Sequence, residues 1–165
     1  VFGYEKDELA EVVGKLLMDQ KATLSVAESC TGGHLAHQFT QNSGSSAYFV
    51  GGILSYANQV KVDYLGVSEQ ILATDGAVSE ACIEAMALGV QKRLGTTYSL
   101  ATSGIAGPDG GTKEKPVGTV WIALAHPTGV ITRQLTLGGT RMQNIYLSSL
   151  ACVNLLRKYL LNDLS

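Results

Sequence analysis

Residues 24–33 read Leu24-Ser25-Val26-Ala27-Glu28-Ser29-Cys30-Thr31-Gly32-Gly33. The apolar run at the start predicts a short buried strand over residues 23–27. A turn dense in carboxylate, hydroxyl and thiol groups follows, and two glycines open a predicted helix over residues 33–41. A strand that hands its chain directly to a helix is a building unit of α/β domains. It also suits a reactive site, because a helix start offers unpaired backbone N–H groups and a positive dipole end to developing negative charge.

Working outward, Leu9, Val12, Val13, Leu16 and Leu17 recur at helical spacing before this unit and predict an amphipathic helix. After it, residues 48–56 read as an apolar strand interrupted by Gly51-Gly52. Residues 58–65 read as a helical turn ending at Gly66. Ser79 is a good N-cap for a helix carrying Ile83, Met86, Ala87, Val90 and Leu94, closed by Gly95. Residues 97–102 predict a strand and 103–116 a glycine-rich loop. Residues 118–125 and 130–136 alternate as a hairpin turning at His126-Pro127-Thr128-Gly129. A last helix runs over residues 140–161, with Ile145, Leu150, Val153, Leu156 and Leu160 on its buried side. Helices between strands, then a late hairpin, predict one α/β domain with a mixed sheet covered on both faces.

Composition narrows the function. The chain has 165 residues, 45% apolar and 16% charged, enough for one well-filled core. A net charge of -2 without a Lys/Arg block argues against a nucleic-acid partner. No apolar run approaches the roughly 18–20 residues of a membrane span, and the opening Val1-Phe2-Gly3-Tyr4-Glu5-Lys6 is too polar for a secretory leader. The three cysteines, Cys30, Cys82 and Cys152, have neither disulfide-framework nor zinc-knuckle spacing, so a reducing, cytoplasmic setting is expected.

In the first turn, Ser29 is a nucleophile by position but needs a base. Cys30 is its rival, since a thiolate at a helix start is activated by the dipole. Glu28 either orients a neighbour or caps the helix. Thr31, Gly32 and Gly33 can supply backbone N–H groups to an oxyanion or phosphate. His34 and His37 stand at i, i+3, a spacing that can chelate a metal, yet no HExxH pattern or second carboxylate accompanies them, so no metal or other cofactor is expected. Gly-x-Ser-x-Gly is absent and His126 belongs to a turn, which leaves a histidine triad unsupported. Lys61, near the end of an apolar strand, is the better base: burial lowers a lysine pKa and frees its lone pair. Tyr56 can shuttle or orient the proton. The segment Ala101-Thr102-Ser103-Gly104-Ile105-Ala106-Gly107-Pro108-Asp109-Gly110-Gly111-Thr112 follows a strand, as a ligand loop does, but lacks a Walker A lysine and a following helix. Arg141 opens the last helix against its dipole, which calls for an anionic ligand or a neighbouring Asp.

Seven motifs stand in one order: AESCTGG at 27–33, YANQVK at 56–61, LGV at 65–67, GAVSE at 76–80, SGIAGPDGGT at 103–112, KPVGTVW at 115–121 and GTR at 139–141. Together they resemble the C-terminal domain of the CinA (competence-damage-inducible protein) family, the nicotinamide-nucleotide amidase domain, over residues 5–162. Larger family members carry a further N-terminal domain; this chain resembles the stand-alone form, a single domain over residues 1–165. The resemblance implies a three-layer α/β/α sandwich with a mixed, roughly five-stranded sheet of the anticodon-binding-domain type. It implies hydrolysis of nicotinamide mononucleotide to nicotinate mononucleotide and ammonia in pyridine-nucleotide recycling, without a cofactor, by a homodimer. By the same resemblance Ser29 is the nucleophile, Lys61 the base and Tyr56 its partner. The expected substrate contacts are Cys30, Thr31, Gly32, Gly33, Thr102, Ser103, Gly104 and Arg141. The family pattern has an acidic residue where this chain has Thr140. Rival readings are a non-catalytic module binding a nucleotide or phosphate, and an amidase or esterase of another small substrate.

Overall fold

The computed structural model describes residues 6–164; residues 1–5, read above as too polar for a leader, and residue 165 lie outside the described residues. Helix α1 (Lys6–Gln20) leads into β1 (Leu24–Glu28) and α2 (His34–Thr40). A 3₁₀ turn, Ser45–Ala47, precedes β2 (Phe49–Leu54), followed by α3 (Asn58–Leu65), α4 (Glu69–Thr74) and α5 (Glu80–Leu94). Then come β3 (Tyr98–Gly104), the hairpin β4 (Thr119–His126) and β5 (Gly129–Thr136), and α6 (Arg141–Leu160). The five strands form one mixed sheet in the order β2-β1-β3-β4-β5. Strand β1 runs parallel to both β2 and β3, while β3, β4 and β5 are antiparallel. The expected α/β fold with a mixed sheet between two helical layers is the one observed.

Side-chain size sorts the two faces. Leu24, Val26, Leu100, Val120, Ile122 and Leu124 point to one side and pack with residues of α1, α2 and α6. Several alternate positions are small: Ala27, Ala101, Ala123 and Ala125 meet α5, and the Ser99 hydroxyl donates to the Ala87 carbonyl of α5 at 2.6 Å. Small residues let one helix lie close to the backbone of the sheet. Contact between α3 and α5 is closer still: a Cβ at Gly89 would stand 1.9 Å from the Leu65 carbonyl oxygen.

Several boundaries differ from the sequence reading. Strand β3 runs two residues into the predicted loop, because Ser103 and Gly104 gain partners in β4 at Trp121 and Val120. A Cβ at Gly104 would meet Val120 Cγ2 at 2.6 Å, so the pairing there requires glycine. Helix α4 was not expected; its signal is Ser68, whose hydroxyl accepts the Ile71 N–H. Strand β4 does not show the alternation expected of it, since α5 and α6 bury both of its faces; the outer strand β5 carries the exposed positions. Among the described residues no helix is long and apolar enough to cross a membrane.

Candidate active site

The carboxyl ends of the parallel strands β1, β2 and β3 lie side by side, the usual place for a ligand crevice in an α/β sheet. Strand β1 ends at Glu28, so Ser29 is the first residue of the turn. Its N–H donates to the Thr102 carbonyl at 3.0 Å, and its carbonyl accepts the Gly32 N–H at 3.2 Å. Strand β2 ends at Leu54, and Ser55-Tyr56-Ala57 carries the chain to α3. On that helix Lys61 and Leu65, four residues apart, share the inward face.

Lys61 is 1% exposed. Its amine lies 3.2 Å from Ser29 Oγ, 2.8 Å from the Ser55 carbonyl and 3.2 Å from the Tyr56 carbonyl. All three partners are uncharged. Among the described residues no carboxylate forms an ion pair with Lys61. An ammonium kept from water without a counter-charge is costly, and burial pushes Lys61 below the ordinary lysine value. The amine is thereby shifted toward its neutral form, the form able to take a proton from the hydroxyl beside it. Cys30 is shifted the other way. Burial, above all, pushes its thiol up to about 12, so at neutral pH it is a protonated thiol and a poor nucleophile.

A cleft of about 190 Å³ opens over this pair, lined by Ser29, Cys30, Tyr56, Lys61, Ser103, Gly104 and Arg141 of the predicted residues. Asn58, Ala77, Val78 and Ala106 complete the lining; none was an expected contact by itself, although all four lie within the motifs YANQVK, GAVSE and SGIAGPDGGT. A wider groove of about 460 Å³ begins beyond Val78, between Trp121, Glu80 and Lys115, away from the Ser–Lys pair.

Four predicted contacts stand behind the cleft instead of lining it. Thr102 is fully buried, with its hydroxyl 2.7 Å from that of Thr31. Thr31 in turn donates to Glu28 Oε1. The Gly33 N–H is taken by Glu28 Oε1 at 3.1 Å, and the Gly32 N–H by the Ser29 carbonyl. Glu28 accepts also from the N–H groups of Leu35 and Ala36, each at 2.9 Å. The start of α2 is therefore occupied by this chain's own carboxylate, and the expectation that it greets an oxyanion does not fit this geometry. Within the turn, the N–H groups of Cys30 and Thr31 have no hydrogen-bonded acceptor among the described residues.

Among the described residues Arg141 forms no ion pair with an Asp or a Glu. Its guanidinium donates to the Gly107 carbonyl at 2.7 Å and to the Tyr56 hydroxyl at 3.4 Å, tying the glycine loop to the rim of the cleft. Asn144, 1% exposed, braces the same loop by donating to the Ala106 and Gly139 carbonyls. Sequence reasoning missed Asn144, whose only signal is a polar residue beside the buried stripe of α6. Thr140 caps α6 with Gln143 in a reciprocal capping box. His34 is held by Ser149 and Gln38. Among the described residues no group of three His, Cys, Asp or Glu side chains could hold a metal ion.

Comparison with known proteins covers almost the whole chain. The CinA C-terminal domain profile matches residues 6–160. The chain is 48% identical to a CinA-like protein of Cytophaga hutchinsonii, over 97% of this chain and 38% of that protein. It is 50% identical to one of Synechocystis sp., over 96% of this chain and 39% of that protein. It thus spans about two fifths of the length of these curated relatives. Among solved structures, it is similar to a CinA superfamily protein of Klebsiella pneumoniae, with a TM-score of 0.92, 30% identity, and 96% and 99% of the two chains covered. It is similar also to a competence/damage inducible protein of Agrobacterium tumefaciens, with a TM-score of 0.91, 35% identity, and 95% and 96% covered.

Proposed function

The chain belongs to the CinA C-terminal domain family, and from that premise we propose that it is an amidohydrolase that converts nicotinamide mononucleotide and water to nicotinate mononucleotide and ammonia. The observation that carries the reading is the buried Lys61 amine 3.2 Å from Ser29 Oγ, held by uncharged partners and shifted toward neutrality. A serine hydroxyl needs such a neighbour to become a nucleophile.

In this mechanism Lys61 takes the Ser29 proton as Oγ attacks the carboxamide carbon of the pyridine ring. The tetrahedral oxyanion is met by the N–H group of Cys30, the cleft-lining donor of the turn left without a protein acceptor. The protonated Lys61 passes its proton to the leaving nitrogen, the C–N bond breaks and ammonia departs. Water then attacks the acyl-serine, giving its proton to Lys61, and collapse of the second tetrahedral species returns that proton to Ser29 Oγ. Tyr56, whose hydroxyl Arg141 holds at the rim, orients the ring, and Arg141 is the cation for the substrate phosphate. The reading includes a homodimer working in the cytoplasm, with no nucleic-acid or membrane partner.

The test is ammonia release from nicotinamide mononucleotide by the purified chain and its Ser29→Ala and Lys61→Met variants. Each substitution is expected to lower kcat by about 10³-fold or more. Activity surviving in Ser29→Ala overturns the mechanism. Turnover of other amides or esters in preference to the nucleotide overturns the substrate while leaving the Ser–Lys pair.

A further inference from the structure

Glu28 immediately precedes the nucleophile but does not line the cleft. We propose that it is a positioning residue, which fixes Ser29 against Lys61 through the turn it holds. The inference rests on the Ser–Lys reading above.

The residue is 2% exposed, and its carboxylate receives four hydrogen bonds. The Thr31 hydroxyl spends its single proton on Glu28 Oε1. The 2.7 Å contact between the Thr31 and Thr102 hydroxyls therefore runs from Thr102 to Thr31. Thr102 also accepts the Ser29 N–H on its carbonyl. The turn is thus tied to β3 at Ser29 and at Thr31, and to the carboxylate at Thr31, Gly33, Leu35 and Ala36. The backbone of Glu28 serves the base. Its carbonyl accepts the N–H and the hydroxyl of Ser55, at 2.8 and 3.2 Å, and the Ser55 carbonyl accepts the Lys61 amine at 2.8 Å. One residue stands between the supports of nucleophile and base.

A carboxylate suits this place because the start of α2 presents only donors. Gln has one oxygen for those donors, and its NH₂ group would face an N–H. The turn would shift, and Ser29 Oγ with it. Misplacement of a reacting group by about 1 Å costs on the order of 10²-fold in rate.

The experiment uses the whole chain with Glu28→Gln and two readouts: steady-state kinetics on nicotinamide mononucleotide, and labelling of Ser29 by a fluorophosphonate probe. Glu28→Gln is expected to lower kcat and the labelling rate constant by about 10–100-fold, with KM changed by less than about threefold and labelling still reaching completion. If Glu28 serves folding alone, the labelled fraction falls while the rate per labelled site is unchanged, and the inference is overturned. Thr102→Val covers failure of the first variant to fold, since it cuts the hydroxyl relay and leaves the three backbone bonds to Glu28. It is expected to slow both readouts by about 5–10-fold, and unchanged rates overturn the inference. A wild-type chain that neither releases ammonia nor takes the label overturns the Ser–Lys reading and this inference with it. An active, labelled wild type beside equally fast variants overturns the role of Glu28 alone.

Discussion

At the scale of single residues, burial assigns opposite parts to two neighbours of Ser29. Lys61 and Cys30 are both withdrawn from water, which penalises their charged forms. For the lysine this produces the neutral base; for the cysteine it removes the thiolate. Activity is therefore expected to rise with pH through the lowered Lys61 pKa and to fall on the acid side as the amine is protonated. A kcat/KM profile checks this, with the limb expected below the ordinary lysine value. Cys30→Ala is expected to keep activity within about threefold, and iodoacetamide at pH 7.5 to leave the enzyme active, because a thiol pushed up to about 12 holds almost no thiolate there. Inactivation by the reagent in the wild type but not in Cys30→Ala would make the thiol a participant.

At the scale of elements, the base is delivered by helix packing. Lys61 reaches Ser29 only because α3 is seated against α5, where Gly89 lets the Leu65 carbonyl come in. Gly89→Ala is expected to cost about 3 kcal/mol in urea unfolding, the upper part of the range for overpacking a close contact. It is also expected to lower kcat, since α3 must move. A variant as stable and as active as the wild type would show that the two helices can separate freely. The other end of the cleft depends on α6, whose N-terminal Arg141 and Asn144 hold the glycine loop. Thr140→Ala removes the capping box and is expected to cost about 1 kcal/mol. Differential unfolding measurements on the single variant check that figure.

At the scale of the whole molecule, the buried lysine is a stability cost accepted for function. The sign follows from its lowered folded-state pKa. Below that pKa both states carry the proton, and the folded chain bears the full cost of a buried ammonium. Between it and the unfolded value of about 10.4 the unfolded chain holds more protons, so stability rises with pH. Relative to Lys61→Met, the wild type is expected to gain stability as pH climbs toward 10, measured as the difference in urea unfolding free energy at several pH values. A difference that stays flat across that window would mean that the amine titrates as it does in water. The sequence by itself determined the periodic elements, the α/β class and the two motifs that bear Ser29 and Lys61, because periodicity, caps and glycine turns are local. It could not determine which way the turn donors point. Gly32 and Gly33 read locally as oxyanion donors, but the Gly33 N–H is taken by the Glu28 carboxylate and the Gly32 N–H by the Ser29 carbonyl; Thr102 reads as a ligand contact, but its hydroxyl lies on Thr31. Nor does any local pattern place residue 61 beside residue 29, mark Asn144 as a brace, or expose α4 and the two buried faces of β4. Tertiary structure decided these, because burial and hydrogen-bond partners are properties of segments distant in the chain, and only packing of α3, α5 and α6 on the sheet brings those segments together.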